Sequence, residues 1–220
     1  MEYVFKHNPT YTLLALKLAP DEKVKAEAGA MVYMSPEISI ETGFGSGFLS
    51  AVARKFFGGE SLFVNIFTAS HGGGEIGIAP QYVGDIQHKK MLGEAIMLQS
   101  GSYLCSSPEL TVTPQFGGLR SLFGGEGLFL LRVSGNGDLF FSSYGSIIEI
   151  PVSGNYVVDT GHIVAFEDSL SFAVKKVGGW KSTFFSGEGL VCEFAGSGKL
   201  WIQSRVPNSF INWITKLLPR

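Results

Sequence analysis

Apolar residues of this chain fall in short runs broken by glycine-rich turns, and the runs recur in a fixed order. Glu37-Ile38-Ser39-Ile40-Glu41 alternates strictly, which predicts a strand with Ile38 and Ile40 on one face and the polar residues on the other. It follows Gly29, a short apolar run through Met34, and a Ser35-Pro36 turn. The same block returns after Gly101, where Tyr103-Leu104-Cys105 leads into residues 109–113, and after Gly161, where 163–166 leads into 169–173. A second landmark recurs downstream of each: Phe56-Phe57-Gly58-Gly59-Glu60, then Leu122-Phe123-Gly124-Gly125-Glu126, then Phe184-Phe185-Ser186-Gly187-Glu188. Each is two apolar residues, a turn carrying Gly-Glu, and a strand-like run. A third landmark comes last: Gly72-Gly73-Gly74, Gly135-Asn136-Gly137 and Gly196-Ser197-Gly198 predict hairpin turns, where positive φ is needed.

Three landmarks in the same order, three times, define an internal repeat. The modules span residues 11–80, 81–144 and 145–205, with a tail at 206–220. The first carries extra residues between its first two landmarks. Each module predicts four or more short strands, too few to bury both faces and pair every edge alone. The expectation is an all-β protein of sandwich- or barrel-like modules that pair edges with one another and with neighbouring chains in a ring. Helix signals are few. Residues 47–57 predict a short helical insertion ending at Gly58, and 208–218 predict an amphipathic helix capped by Asn208 or Ser209, with Phe210, Trp213, Ile214 and Leu217 on one face.

Composition agrees with this picture. Glycine accounts for 29 of 220 residues and charged residues for only 16%, the signature of many tight turns around apolar strands. The net charge of −2 gives no global field toward nucleic acid or anionic membrane. Cys105 and Cys192 lie inside apolar runs, as buried reduced thiols do. Glu2, Lys6 and His7 interrupt the N-terminus, so it does not read as a signal peptide, and no window reaches the ~20 apolar residues of a membrane span. The expected location is cytoplasmic.

Residues 43–80, with Gly43-Phe44-Gly45-Ser46-Gly47, Gly58-Gly59-Glu60-Ser61-Leu62-Phe63 and Gly74-Glu75-Ile76-Gly77, resemble the altered-inheritance-of-mitochondria family, also described as similar to the tryptophan RNA-binding attenuation protein (TRAP-like). The resemblance extends over all three modules. It implies modules built like a shortened double-stranded β-helix, and a ring-like oligomer in which a homotrimer would place nine modules. It brings no catalytic or ligand-binding residues. The attenuator's RNA binding needs a basic rim repeating with the modules, whereas Lys89-Lys90 and Lys175-Lys176 are not equivalent and the first module has no counterpart.

The candidate chemistry is sparse. Glu60, Glu126 and Glu188 repeat in every module; as a ring of carboxylates they would bind a cation, and as turn residues they would accept amide hydrogen bonds, which repetition favours. None of the four histidines lies at metal-ligand spacing from another histidine or a cysteine. Gly196-Ser197-Gly198-Lys199 lacks the spacing, the Ser or Thr, and the helix of a phosphate loop. No catalytic, metal or cofactor site is expected, and so no enzyme.

More suggestive are the segments before each Gly-Glu turn: Phe48, Leu49, Arg54, Lys55, Phe56 and Phe57; Phe116, Leu119, Arg120 and Phe123; Trp180, Lys181, Phe184 and Phe185. Each is aromatic with a basic residue. They either pack beneath the sheets or form interaction tips, repeated around a ring, for a membrane surface or a protein partner. The expected function is a ring-forming interaction or scaffold protein with a membrane-peripheral role; the alternative is a small-molecule- or RNA-binding ring.

Overall fold

The computed structural model describes residues 1–41, 64–116, 129–176 and 190–218. Its elements are, in chain order, β1 (Glu2–Lys6), β2 (Leu13–Leu18), β3 (Lys23–Glu27), β4 (Met31–Met34), β5 (Ile38–Glu41), β6 (Val64–Ala69), β7 (Gly74–Ile78), β8 (Ile86–Gln99), β9 (Tyr103–Ser106), β10 (Thr111–Phe116), β11 (Phe129–Ser142), β12 (Ile147–Asp159), β13 (Ile163–Glu167), β14 (Ser171–Lys176), β15 (Leu190–Gln203) and α1 (Pro207–Thr215). Among the described residues the protein is all-β apart from α1 and two single 3-10 turns, at 100–102 and 160–162.

A long strand, two short strands and a long returning strand form one pattern, seen as β8–β11 and again as β12–β15. The long strands pair antiparallel along their length, β8 with β11 and β12 with β15. The short ones then add to the returning strand: β10 and β14 to its first half, β9 and β13 to its second. Near the N-terminus the same pattern is broken in the middle. β2 and β3 replace one long strand, β6 and β7 the other, pairing β2 with β7 and β3 with β6. Left-handed residues sit at both breaks, Asp21 (φ 62°) and Gly73 (φ 74°).

These breaks correct one sequence expectation. Of the three glycine-rich triplets, only Gly72-Gly73-Gly74 makes a turn. Gly135-Asn136-Gly137 and Gly196-Ser197-Gly198 lie inside β11 and β15, which run through them. Their positive φ makes a bend in place of a reversal: Gly135 has φ 117°, and the pairing of β11 with β8 shifts register between Ser134 and Asn136. At Gly137 a Cβ would stand 2.7 Å from the Ser107 side chain, so close approach of the neighbouring strand also requires glycine there.

The strands form a four-stranded sheet, β1-β2-β7-β4, and an eleven-stranded one whose path runs β12-β15-β13-β8-β11-β9-β3-β6-β5 with β10 and β14 alongside. Three apolar clusters fill the interior, centred on Leu16, Phe67 and Ile76, on Tyr103, Leu131 and Phe141, and on Phe166, Phe194 and Leu200. Each crosses the boundary between repeats: Leu104 and Phe140 belong to the first cluster, Val164 and Trp201 to the second, Met97 and Leu130 to the third. Cys105 and Cys192 are buried free thiols; burial raises both, Cys192 to about 12.

Three further differences from the sequence reading have local causes. β1 lies before the first predicted module and adds to the edge of β2. Ile40 does not share the burial of Ile38, because β5 is the outermost strand on its side of the sheet. The terminal helix starts at Pro207 with Val206 as its N-cap and no side-chain cap bond. Proline fits the first helical position, where its missing N–H is not needed, so Asn208 and Ser209 lie inside the helix.

Candidate interaction surfaces

Of the sequence-predicted interaction tips, Phe116 closes β10 opposite Phe129. Phe48, Leu49, Arg54, Lys55, Phe56, Phe57, Leu119, Arg120, Phe123, Trp180, Lys181, Phe184 and Phe185 lie outside the described residues. So do the module turns Gly59, Glu60, Gly125, Glu126, Gly187 and Glu188, and the helical insertion at 47–57. The predicted lysine pairs are held locally: Lys90 lies 3.1 Å from Asp138, Lys89 3.5 Å from Glu94 and from Glu167, and Lys175 is paired with Glu193. His71 is exposed beside Asp21.

A polar cluster that the sequence reading missed ties the N-terminal strand to the second repeat. The Tyr3 hydroxyl stands 2.9 Å from His88 Nδ1, and His88 Nε2 stands 2.9 Å from Asp138 Oδ1. An ionised carboxylate only accepts, so Nε2 donates to Asp138, and with the proton there the Nδ1 of a neutral ring would accept from the Tyr3 hydroxyl. Burial raises the Asp138 carboxyl, but hydrogen bonds from His88 and Lys90 outweigh it and hold the group below its ordinary range. Tyr3 and His88 also pack against Phe140. The arrangement holds β1 in place. Its signal was weak, since the two bonded pairs are 85 and 50 positions apart.

Where the first repeat's long strands break, a cleft of about 920 Å³ opens, lined by Glu2, Glu22, Glu37 and Glu75 with Lys17. No histidine or cysteine is among its lining residues. Among the described residues, no group of three or more His, Cys, Asp or Glu is placed to hold a metal ion, and no helix is long and apolar enough to cross a membrane.

The repeats join through one geometry used twice. β9 of the second repeat pairs with β3 of the first, matching Ala26 to Cys105 and Lys25 to Ser106. β13 of the third pairs with β8 of the second, matching Leu98 to Ala165 and Met97 to Phe166. Counted from Gly29, Gly101 and Gly161, these are equivalent positions. The two joints therefore share one register.

The same count leaves two edges over. β4, the counterpart of β9 and β13, pairs only with β7 among the described residues. The outer half of β12, the counterpart of β3 and the end of β8, likewise pairs only with β15 among the described residues. Both edges carry exposed apolar side chains, Met31, Val32 and Met34 on β4 and Tyr156 and Val157 on β12. A hollow of about 340 Å³ adjoins the second edge, bounded by Asn155, Val157, Phe172 and Glu193. The corresponding site in the second repeat is filled by the β13–β14 turn, where the Asp168 amide donates to the Ala95 carbonyl and Arg132 pairs with Asp168 at 3.0 Å.

Repeated antiparallel hairpins joined by strand pairing, with one such edge exposed at each end, define a class of all-β repeat protein. The model of the mitochondrial biogenesis AIM24 family matches residues 3–205, and the chain belongs to that family. An uncharacterized protein of Streptococcus pyogenes serotype M6 is 29% identical over 229 residues, covering 100% of this chain and 92% of its own length. A crystal structure of a Streptococcus pyogenes protein matches with a TM-score of 0.82 at 26% identity, over 99% of both chains.

Proposed function

We propose that this protein is a non-enzymatic scaffold whose copies join head to tail into a closed ring, three chains contributing nine repeats. The observation that carries this reading is the shared register of the two internal joints, together with the matching pair of exposed edges. Continuing that register places Met34 opposite Val157 and Tyr33 opposite Val158 of a second copy. An exposed apolar edge invites pairing. A heterologous contact of this kind closes into a ring or runs on as a filament, and bounded assembly requires closure. Lys89, Lys90 and Lys175, which a nucleic-acid rim would draw on, are paired with carboxylates, which favours protein contacts.

Light scattering on the full chain should give a mass near three times 23.7 kDa. Val157→Lys places an uncompensated charge in the joint and should reduce the mass to that of one chain. Met34→Cys combined with Val157→Cys should form an intermolecular disulfide that neither single variant forms. A wild-type monomer at micromolar concentration refutes the ring, and a Val157→Lys trimer refutes this joint.

A further inference from the structure

The terminal helix leaves its apolar face uncovered. At 3.6 residues per turn Phe210, Ile211, Trp213 and Ile214 share one side of α1, with Leu217 and Leu218 in the turn that follows it, while Asn208, Ser209, Asn212 and Thr215 fill the opposite side. In a helix that packs on its own protein the apolar stripe is the buried one. Here no residue of α1 is buried, and Phe210, Trp213 and Leu217 are 46, 58 and 65% exposed.

The helix is nevertheless fixed to the body by a row of rings. Phe210 stacks on Trp213 with centroids 6.1 Å apart and lies 6.2 Å from Tyr144, which is 6.0 Å from the exposed Tyr82. The result is one continuous aromatic and aliphatic surface spanning the helix, the turn before β12 and the loop before β8. Aromatic rings with a polar atom at one edge suit the boundary between headgroups and acyl chains.

Charge selects the occupant. After Glu193 the sequence has no Asp or Glu, while Arg205, Lys216 and Arg220 flank the helix on both sides. A basic, acid-free segment carrying an uncovered apolar face complements an anionic lipid layer. We propose that this face docks the protein on anionic phospholipid membranes, the helix lying in the plane of the surface with Phe210, Trp213 and Leu217 inserted. The proposal stands independently of the ring, although several helices on one assembly would strengthen attachment through avidity.

The test is flotation of the full chain with phosphatidylcholine vesicles and with vesicles holding about a third phosphatidylglycerol. Wild type should float with the anionic vesicles at least fivefold more than with the neutral ones, and less so in high salt. Trp213→Ser with Leu217→Ser, both at exposed positions, should lose that binding at unchanged light-scattering mass. Lys216→Glu should lower it severalfold. Equal flotation of wild type and the double variant, or no wild-type binding to anionic vesicles, overturns the proposal. So does a drop in mass of the double variant, which would assign the face to a second copy. Val157→Lys separates the two readings, since a monomer that still floats shows the helix docking without the ring.

Discussion

The two joints inside the chain share a register and differ in chemistry. At the second, Met97 faces Phe166, and both are buried in an apolar cluster where the Phe166 ring packs against Phe172 and Phe194. At the first, the same two places hold Lys25 and Ser106. Lys25 is buried, its Nζ donating to the Leu110 carbonyl at 2.6 Å, and burial lowers its affinity for the proton despite the opposing pull of Glu109. One backbone arrangement thus tolerates a greasy seam and a hydrogen-bonded one. What fixes a joint is the strand pairing, and what makes it strong or selective is the side-chain pair placed on it.

Phe166→Ala should break the second joint with the largest effect, about 3–5 kcal/mol of unfolding free energy by denaturant titration, from lost burial and the cavity left behind. A loss under 1 kcal/mol would mean that the joint is held by backbone bonds alone. Lys25→Met, which copies the second joint's residue onto the first, should cost about 1–3 kcal/mol, because the Leu110 carbonyl loses its donor. Its pH dependence carries a sign. With the folded-state pKa below the unfolded value of about 10.4, the unfolded chain binds more protons between the two, so wild-type stability gains with rising pH across that window. The Met variant should lack this gain; the same slope in both proteins would remove Lys25 as its source. Arg132→Ala tests the solvent-facing pair with Asp168 beside the second joint. Both partners are more than a third exposed, so the loss should be below about 1 kcal/mol and vanish in high salt.

Much of the strand pattern was legible because it depends on local residues. Gly29, Gly101 and Gly161 open equivalent short strands, the apolar runs around Cys105 and Cys192 become strands with both thiols buried, and the spacing of Phe210, Trp213 and Ile214 marks α1. What the chain could not disclose locally was pairing. Leu98 meets Ala165 and Ala26 meets Cys105 across tens of residues, and no short-range pattern encodes such contacts. The glycine triplets show the same limit. A positive φ at Gly73 and at Gly135 looks alike in sequence, yet one carries the chain from one sheet to the other and the other only kinks a strand, because β11 has a continuous partner in β8 and β6–β7 does not. β1 escaped notice because five residues with two charged ends become a strand only beside β2.

Lys25 has a consequence for fidelity. An incoming β4 edge carries Met34 where β9 carries Ser106. Were it to displace β9 from β3, a thioether would face the ammonium, and the Leu110 carbonyl would leave with the departing repeat. Against the β12 edge the same Met34 would meet Val157, and no polar group would lose its partner. A single buried lysine would thus act as an address, closing the interior seam to an edge that brings it no acceptor, while in the proposed ring the terminal edge would make no such demand.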